Sequence, residues 1–541
     1  MATKRKNEQQ NDVLTKVRRQ DGENDNDGDA VAEVEFEELN PATLKKLVLT
    51  FEKKYNINQE MRIKYADNPE RFMTSEIELD DEIKKLQIVA TAPELYPLFV
   101  KLGVITSLGS LLLHDNVDIV IDIVDLFHEL TEQETPNDDQ TLALTNSLIE
   151  NGVVETLVTV LERFDVSESD DQAAIHNTLS VFENLLELKP METSKLLADK
   201  SNMFKYILTA IRSPPAASVP LNVRLYCCEI LSIILQTNEE SRDKFAQLGG
   251  IDSLLVVSAA YKKKAPESLE ETEMVENVFS SLCSSLLGNQ ANKDLFLQSE
   301  GIELMLMFIK NKTVFRSSAL KVLAFALTRH QGANEMFVER LGLKTLFSAM
   351  MKRVKSKHNK NKNKKNKGIY NEMEDDEHII TIVHSLFTNL EKGSARYERL
   401  VSKFTENQCE KIDRWFELFD KYSKKLREAE QNLKQEHLEN GDDEDDDDEE
   451  ELFFRRLDAG LFKLQHIDIV IGILFGYNVG GDNTIKERIQ QVIKQRNINM
   501  DNIIGILKEY EATIETSQLK DQDKERDKQF IESLINTLRS N

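Results

Sequence analysis

One short pattern returns along this chain with fixed internal spacing, and it constrains the fold more than any other feature. A glycine carries a large apolar residue five positions before it and another five positions after it: Phe245, Gly250 and Leu255; Phe296, Gly301 and Leu306; Phe337, Gly342 and Phe347. Upstream, Leu98, Gly103 and Leu108 fit the same template, and Gly152 with Leu157 fits it with Leu148 one position out of register. Glycine takes the left-handed conformation that ends a helix without steric cost, and the apolar residues on either side then staple the next helix onto the last. The pattern reads as a helical stacking unit that returns about every forty to fifty residues.

That period is the one of armadillo and HEAT repeats. The expected fold class is therefore all-α, an armadillo/HEAT-like helical-repeat superhelix with helical N- and C-terminal caps. A chain of 541 residues is beyond the size at which one compact core keeps growing, which also favours an extended array. The divisions expected are a disordered tail over 1–38, a helical cap over 39–97 and the repeat array over 98–400. A helical region over 401–515 and a charged tail over 516–541 follow.

Within the array, Val104, Ile105, Leu108, Leu111 and Leu112 form an apolar stripe at helical spacing. Ile119 to Leu130 reads as a helix lining an inner face, Asn177 to Leu188 as its counterpart in the next repeat, and Val223 to Leu235 as a nearly all-apolar helix buried between neighbours. Asn238, Asn292 and Asn334 each stand where a helix N-cap is expected, since the asparagine side chain accepts from an orphan backbone amide. The lysine- and asparagine-rich stretch 352–368 reads as a disordered loop in the array, and the acidic loop 439–451 as solvated and extended. All ten prolines lie at or before Pro266, so none kinks a helix in the second half.

With 95 acidic against 69 basic residues the net charge is −26, a surface that repels bare nucleic acid and attracts basic partners. No apolar run is long enough to span a bilayer, and the polar start does not read as a secretory signal. The four cysteines, Cys227, Cys228, Cys283 and Cys409, lack metal-finger spacing and read as reduced core thiols. In the tail, Lys4, Arg5 and Lys6 followed by Lys16, Arg18 and Arg19 resemble a bipartite nuclear localisation signal, which places the expected location in the nucleus.

No phosphate loop and no dinucleotide glycine fingerprint is present. His128-Glu129 opens like a zinc-protease helix, but the second histidine position holds Glu132. The expectation is a protein without catalytic residues, cofactor or metal. A helical solenoid of this kind is a scaffold for peptides or partner helices. The inner positions just before the closing leucine pairs hold Glu129, Asn184 and Ser285, and these are the candidate groove residues for a lysine- and arginine-rich ligand. Karyopherin-type armadillo proteins line that face with tryptophans and asparagines, whereas Trp415 here stands alone outside the repeats.

Specific segments carry a closer likeness. TFEKKYNINQEMRIKYADNPERFMTSEIELDDEI from Thr50, HDNVDI from His114, RSSALKVL from Arg316, KFTENQCEKIDR from Lys403 and RRLDAGLFKLQHID from Arg455 resemble the beta-catenin-like protein 1 family. The resemblance runs from Leu44 to Tyr510 in order. It implies a nuclear armadillo protein associated with the spliceosome through the nineteen complex. It further implies binding to the basic localisation segments of a Myb-domain splicing subunit, and often a dimer formed through the C-terminal region. The expected function is thus a non-catalytic adaptor of pre-mRNA splicing. The alternative is a transport adaptor for basic cargo that engages import receptors. Neither nucleic acid nor membrane is an expected partner.

Overall fold

The computed structural model of the protein describes residues 39–132, 139–212, 219–351, 372–440, 447–478, 483–517 and 520–540. Among them there is no strand, only helices and their connections. The expected tail 1–38 with its basic clusters, the loop 352–368 and the first half of the acidic run lie outside the described residues.

The unit has three helices rather than the two that the sequence pattern suggests. Tyr96–Lys101, Val104–Leu111 and Val117–Thr131 form one; Asp139–Glu150, Val153–Leu161 and Ser169–Leu188 the next. Glu239–Gln247, Gly250–Ala259 and Leu269–Leu286 repeat the order, as do Gln290–Gln298, Gly301–Asn311 and Arg316–Leu327. Between these lies a unit that carries no glycine landmark, with Met203–Arg212 and Leu221–Thr237 as its last two helices. Its five-and-five positions are Leu197, Asn202 and Ile207, with both apolar residues fully buried.

In each unit the third helix packs on the third helix of its neighbours. Met73–Leu86, Val117–Thr131, Ser169–Leu188, Leu221–Thr237, Leu269–Leu286, Arg316–Leu327, Glu372–Asn389 and Leu461–Phe475 thus form one continuous ladder. One apolar core runs through it from Leu44 to Leu538. Each buried Phe, Leu or Ile in that core contributes about 1.5–3 kcal/mol.

The landmark glycines serve two different purposes. Gly103 and Gly152 take left-handed backbone, with φ of 79° and 70°, as expected of a helix end. At the other three units the left-handed residue is the one before, namely Gly249, Glu300 and Leu341. Gly250, Gly301 and Gly342 instead begin the next helix with the upstream phenylalanine ring against them. A Cβ there would stand 2.4 Å from the Phe245 ring, 2.4 Å from the Phe296 ring and 2.6 Å from the Phe337 ring. Close approach, and not a cap, requires these glycines.

Of the three asparagines expected as N-caps, Asn238 accepts from the amide of Glu240 and is one. Asn292 and Asn334 lie inside their helices, which are capped by Asn289 and His330. Both are buried. Asn292 donates to the carbonyls of Ser285 and Arg242 at 2.9 and 3.2 Å, and Asn334 to those of Leu327 and His330 at 2.7 and 2.9 Å. The carbonyls of Ser285 and Leu327 lie at the end of the preceding third helix, where acceptors are left over, so the asparagines fasten one unit to the next.

The C-terminal region departs further from expectation. The helix Ala395–Asn440 is broken at Glu406–Cys409, where Asn407, Gln408 and Cys409 take left-handed backbone. Trp415 on that helix is buried and donates its indole Nε1–H to the carbonyl of Ile467 at 3.2 Å. The acidic run is not extended throughout, because from Asp447 it is the first turn of the helix Asp447–Ala459. Leu461–Phe475 is buried on nearly all sides. The stretch read as a charged tail, at most an amphipathic helix, is the helix Asp521–Arg539, and it packs on Leu461–Phe475 and buries Ile531, Leu534, Ile535 and Leu538. Arg329 also reaches Asp527 on it at 2.6 Å.

Candidate functional site

The open face of the ladder carries a polar seam that crosses from helix to helix. It begins with Lys84 between two carboxylates, 2.6 Å from Asp80 and 3.5 Å from Asp122 on the next ladder helix. One turn along, Asp125 accepts from Asn177 Nδ2 of the third helix at 2.8 Å. Glu183 accepts from the Tyr226 hydroxyl of the fourth. Beyond them Glu229 of the fourth helix faces Glu273 of the fifth, whose charge adds to the rise of the Glu229 carboxyl. Glu276 then accepts from Ser318 Oγ of the sixth at 2.6 Å.

These positions face outward because each ladder helix buries both flanks against its neighbours and one side against the shorter helices. Only a narrow strip stays open. In VIDIVDLF, SVFENLL, YCCEILS and MVENVFS the strip is where the isolated charged residues fall between buried ones.

Crowding carboxylates in a strip walled by apolar side chains has an electrostatic signature. Burial pushes the Asp122 carboxyl up to about 8, helped by the neighbouring Asp80. Burial likewise raises Asp125, against the pull of the Asn177 hydrogen bond. Glu229 is raised by burial and then by Glu183 and Glu273. His176 beside Tyr226, with ring centres 5.2 Å apart, is pushed down by burial and by His128. A row of part-buried, mutually repelling carboxylates is stabilised by a cation that reaches it.

The candidate residues read from sequence divide. Glu129 is exposed on the last turn of Val117–Thr131, on the same side as Asp125. Asn184 is half-buried and donates to Thr131 Oγ1 at 3.3 Å, which brings it to that same helix end. Ser285 is not a groove residue. It has no exposed surface, and its hydroxyl donates to the Ser281 carbonyl at 2.8 Å inside its own helix. The rule that chose it counted from the leucine pair and was one position out of phase with the open strip. The seam residues Asp122, Asp125, Glu183, Glu229, Glu273 and Glu276 were missed.

Other chemistries find little footing. Among the described residues no group of three or more histidine, cysteine or carboxylate side chains is arranged to hold a metal ion. His128 lies 3.7 Å from Glu132 and belongs to the helix surface. All four cysteines are buried without disulfides, and burial pushes the Cys228 and Cys283 thiols up to about 12. Among the described residues no helix is long and apolar enough to cross a membrane.

Three-helix units stacked on a common ladder with one open polar face define an armadillo-type repeat protein. Residues 21–508 match the family described as catenin-beta-like, Arm-motif containing nuclear, and the chain belongs to that family. It is similar to the beta-catenin-like protein 1 of Bos taurus, with 39% identity over 88% of this chain and 82% of that protein. The Homo sapiens beta-catenin-like protein 1 is 38% identical over the same shares. The Schizosaccharomyces pombe homolog is 32% identical over 91% of this chain and 83% of its own length.

Proposed function

We propose that this protein is a non-catalytic nuclear adaptor of pre-mRNA splicing, associated with the spliceosomal nineteen complex. It holds lysine- and arginine-rich, localisation-type segments of splicing factors, a Myb-domain subunit among them, along the open face of its ladder. The observation that carries this reading is the unbroken row of carboxylates from Asp80 to Glu276. Asp125, Glu183 and Glu276 are each held by a hydrogen bond from a neighbouring helix, and burial raises Asp122, Asp125 and Glu229, with other carboxylates adding to the rise at Asp122 and Glu229. A guanidinium or ammonium group entering the row relieves that repulsion and finds oriented acceptors. The basic clusters at Lys4 to Lys6 and Lys16 to Arg19 support the nuclear location, as does membership of a family described as nuclear.

The test uses the full chain and a fluorescent peptide copying a basic localisation segment of the Myb-domain subunit. Glu183→Gln with Glu229→Gln should weaken binding about tenfold and flatten its salt dependence, while the thermal midpoint holds. Unchanged affinity removes the site from this face. A pull-down from nuclear extract separates the partner classes. Splicing subunits lost as salt rises support the adaptor, whereas import receptors with mixed cargo support transport instead.

A further inference from the structure

The first described helix, Pro41–Lys64, buries Leu44, Val48, Phe51 and Asn58 and packs on Met73–Leu86, while its other side meets solvent. With about 3.6 residues per turn, Lys45, Lys46, Leu49, Lys53, Glu60 and Ile63 fall on that outer side, and all six are exposed. The outer face of a helix at the end of a solenoid is ordinarily polar, because nothing stacks on it. Here it holds Ile63, the most exposed large apolar side chain among the described residues at 82%, and Leu49 at 69%. The two stand about 21 Å apart along the helix axis, so the face is four turns long.

Charge marks the same face. The chain has carboxylates to spare, with 95 acidic against 69 basic residues, yet Lys45, Lys46 and Lys53 enter no ion pair among the described residues. Lys54, at the edge of the row, is the one that reaches the neighbouring helix, at 2.7 Å from Glu78. These four lysines and Leu49 border a shallow trough of about 530 Å³. Glu60 is the only exposed carboxylate of the helix, and it stands two turns beyond Lys53. The trough is thus an apolar spot among ammonium groups that have no carboxylate of their own.

We propose that this face of Pro41–Lys64 docks an acidic amphipathic helix of a partner protein. Its apolar side chains, repeating every three or four residues, cover Leu49 and Ile63, and its carboxylates meet Lys45, Lys46 and Lys53. The net charge of −26 holds acidic partners off the surface at large, so the lysine row decides where such a helix lands. A second copy presenting the same face across a two-fold axis would instead set lysine against lysine. The face is separate from the ladder seam, since it has the opposite charge and its helix contributes no residue to that seam.

The test uses the full chain and two fluorescent synthetic peptides of identical leucine, alanine and glutamate content. One is spaced to form an amphipathic helix and the other is scrambled. The helical peptide should bind, and Leu49→Gln with Ile63→Gln should weaken it about tenfold. An independent variant, Lys45→Gln, Lys46→Gln and Lys53→Gln, should weaken it as much and flatten its salt dependence. Every substituted side chain is exposed and glutamine is a good helix former, so both variants should keep the wild-type thermal midpoint. The seam variants Glu183→Gln and Glu229→Gln should leave this binding unchanged. Equal binding of the scrambled peptide, or no effect of either variant, overturns the proposal. So does tighter binding of a single-stranded RNA of equal charge, for then the lysines serve a nucleic acid. Binding that appears only after removal of residues 1–38 also overturns it, since the chain's own tail is then the occupant.

Discussion

Asn177 Nδ2 donates to Asp125 Oδ1 at 2.8 Å, and this bond joins two ladder helices while opposing the effect of burial on the same carboxyl. Asn177→Leu removes the opposing contact only. Asp125 should then take up a proton at a higher pH, so the affinity for a basic peptide should drop several-fold at neutral pH and recover as pH rises. A pH series of peptide titrations on wild type and variant checks it. Parallel curves would mean that Asp125 takes no part in binding.

The glycines should answer to substitution in two ways. Gly301→Ala drives a methyl into the Phe296 ring and should cost about 1–3 kcal/mol. Much of that loss should return in the double variant with Phe296→Leu, because the two residues are in contact. Gly103 has open space around its Cβ position and only its left-handed backbone to defend, so Gly103→Ala should cost about 1–2 kcal/mol, with no rescue from shrinking Leu98. Denaturant midpoints of the four variants decide it.

Trp415 is the only tryptophan, and its indole is buried in the C-terminal region and bonded to Ile467. Intrinsic fluorescence should therefore be blue-shifted in the native protein and should report unfolding of that region. Trp415→Phe should cost about 1 kcal/mol and leave basic-peptide binding unchanged. A loss of peptide affinity would place the indole in the groove after all.

Asp468 lies fully buried in Leu461–Phe475, and neither of its oxygens has a hydrogen-bond partner among the described residues. Burial raises its carboxyl well above the ordinary range, so the folded protein holds a proton that the unfolded chain releases. Its contribution to stability is complete below the unfolded value and is lost as pH rises toward the folded one. The thermal midpoint of the wild type should decline as pH rises through and above the ordinary carboxylate range, and Asp468→Asn should flatten that decline. Asp122, raised to about 8, acts in the same direction, so the comparison is made by difference between wild type and variant.

Much of the array was legible because steric needs leave plain marks. The Phe-to-Gly spacing is written by a ring on a helix start, although the sequence alone could not tell that contact from a left-handed cap. The unit at Leu197, Asn202 and Ile207 escaped since asparagine stands in the glycine position there. Asn292 and Asn334 were correctly singled out and wrongly explained, because a buried carboxamide bonded to the previous unit looks the same in sequence as a cap. The seam was hidden for a related reason. Which residue of a helix meets solvent depends on the angle at which its neighbours cover it, and a shift of one residue moved the choice from half-buried Ser284 to buried Ser285.

The cover that Asp521–Arg539 places over Leu461–Phe475 also has a meaning in time. On the ribosome the apolar helix emerges before this cover, and the flank that Asp521–Arg539 will bury stays open until the cover is made. A message that stops early in this stretch yields a sticky product that chaperones hold or proteases clear. Completion of the last described helix is thus the moment at which a nascent chain becomes safe to release.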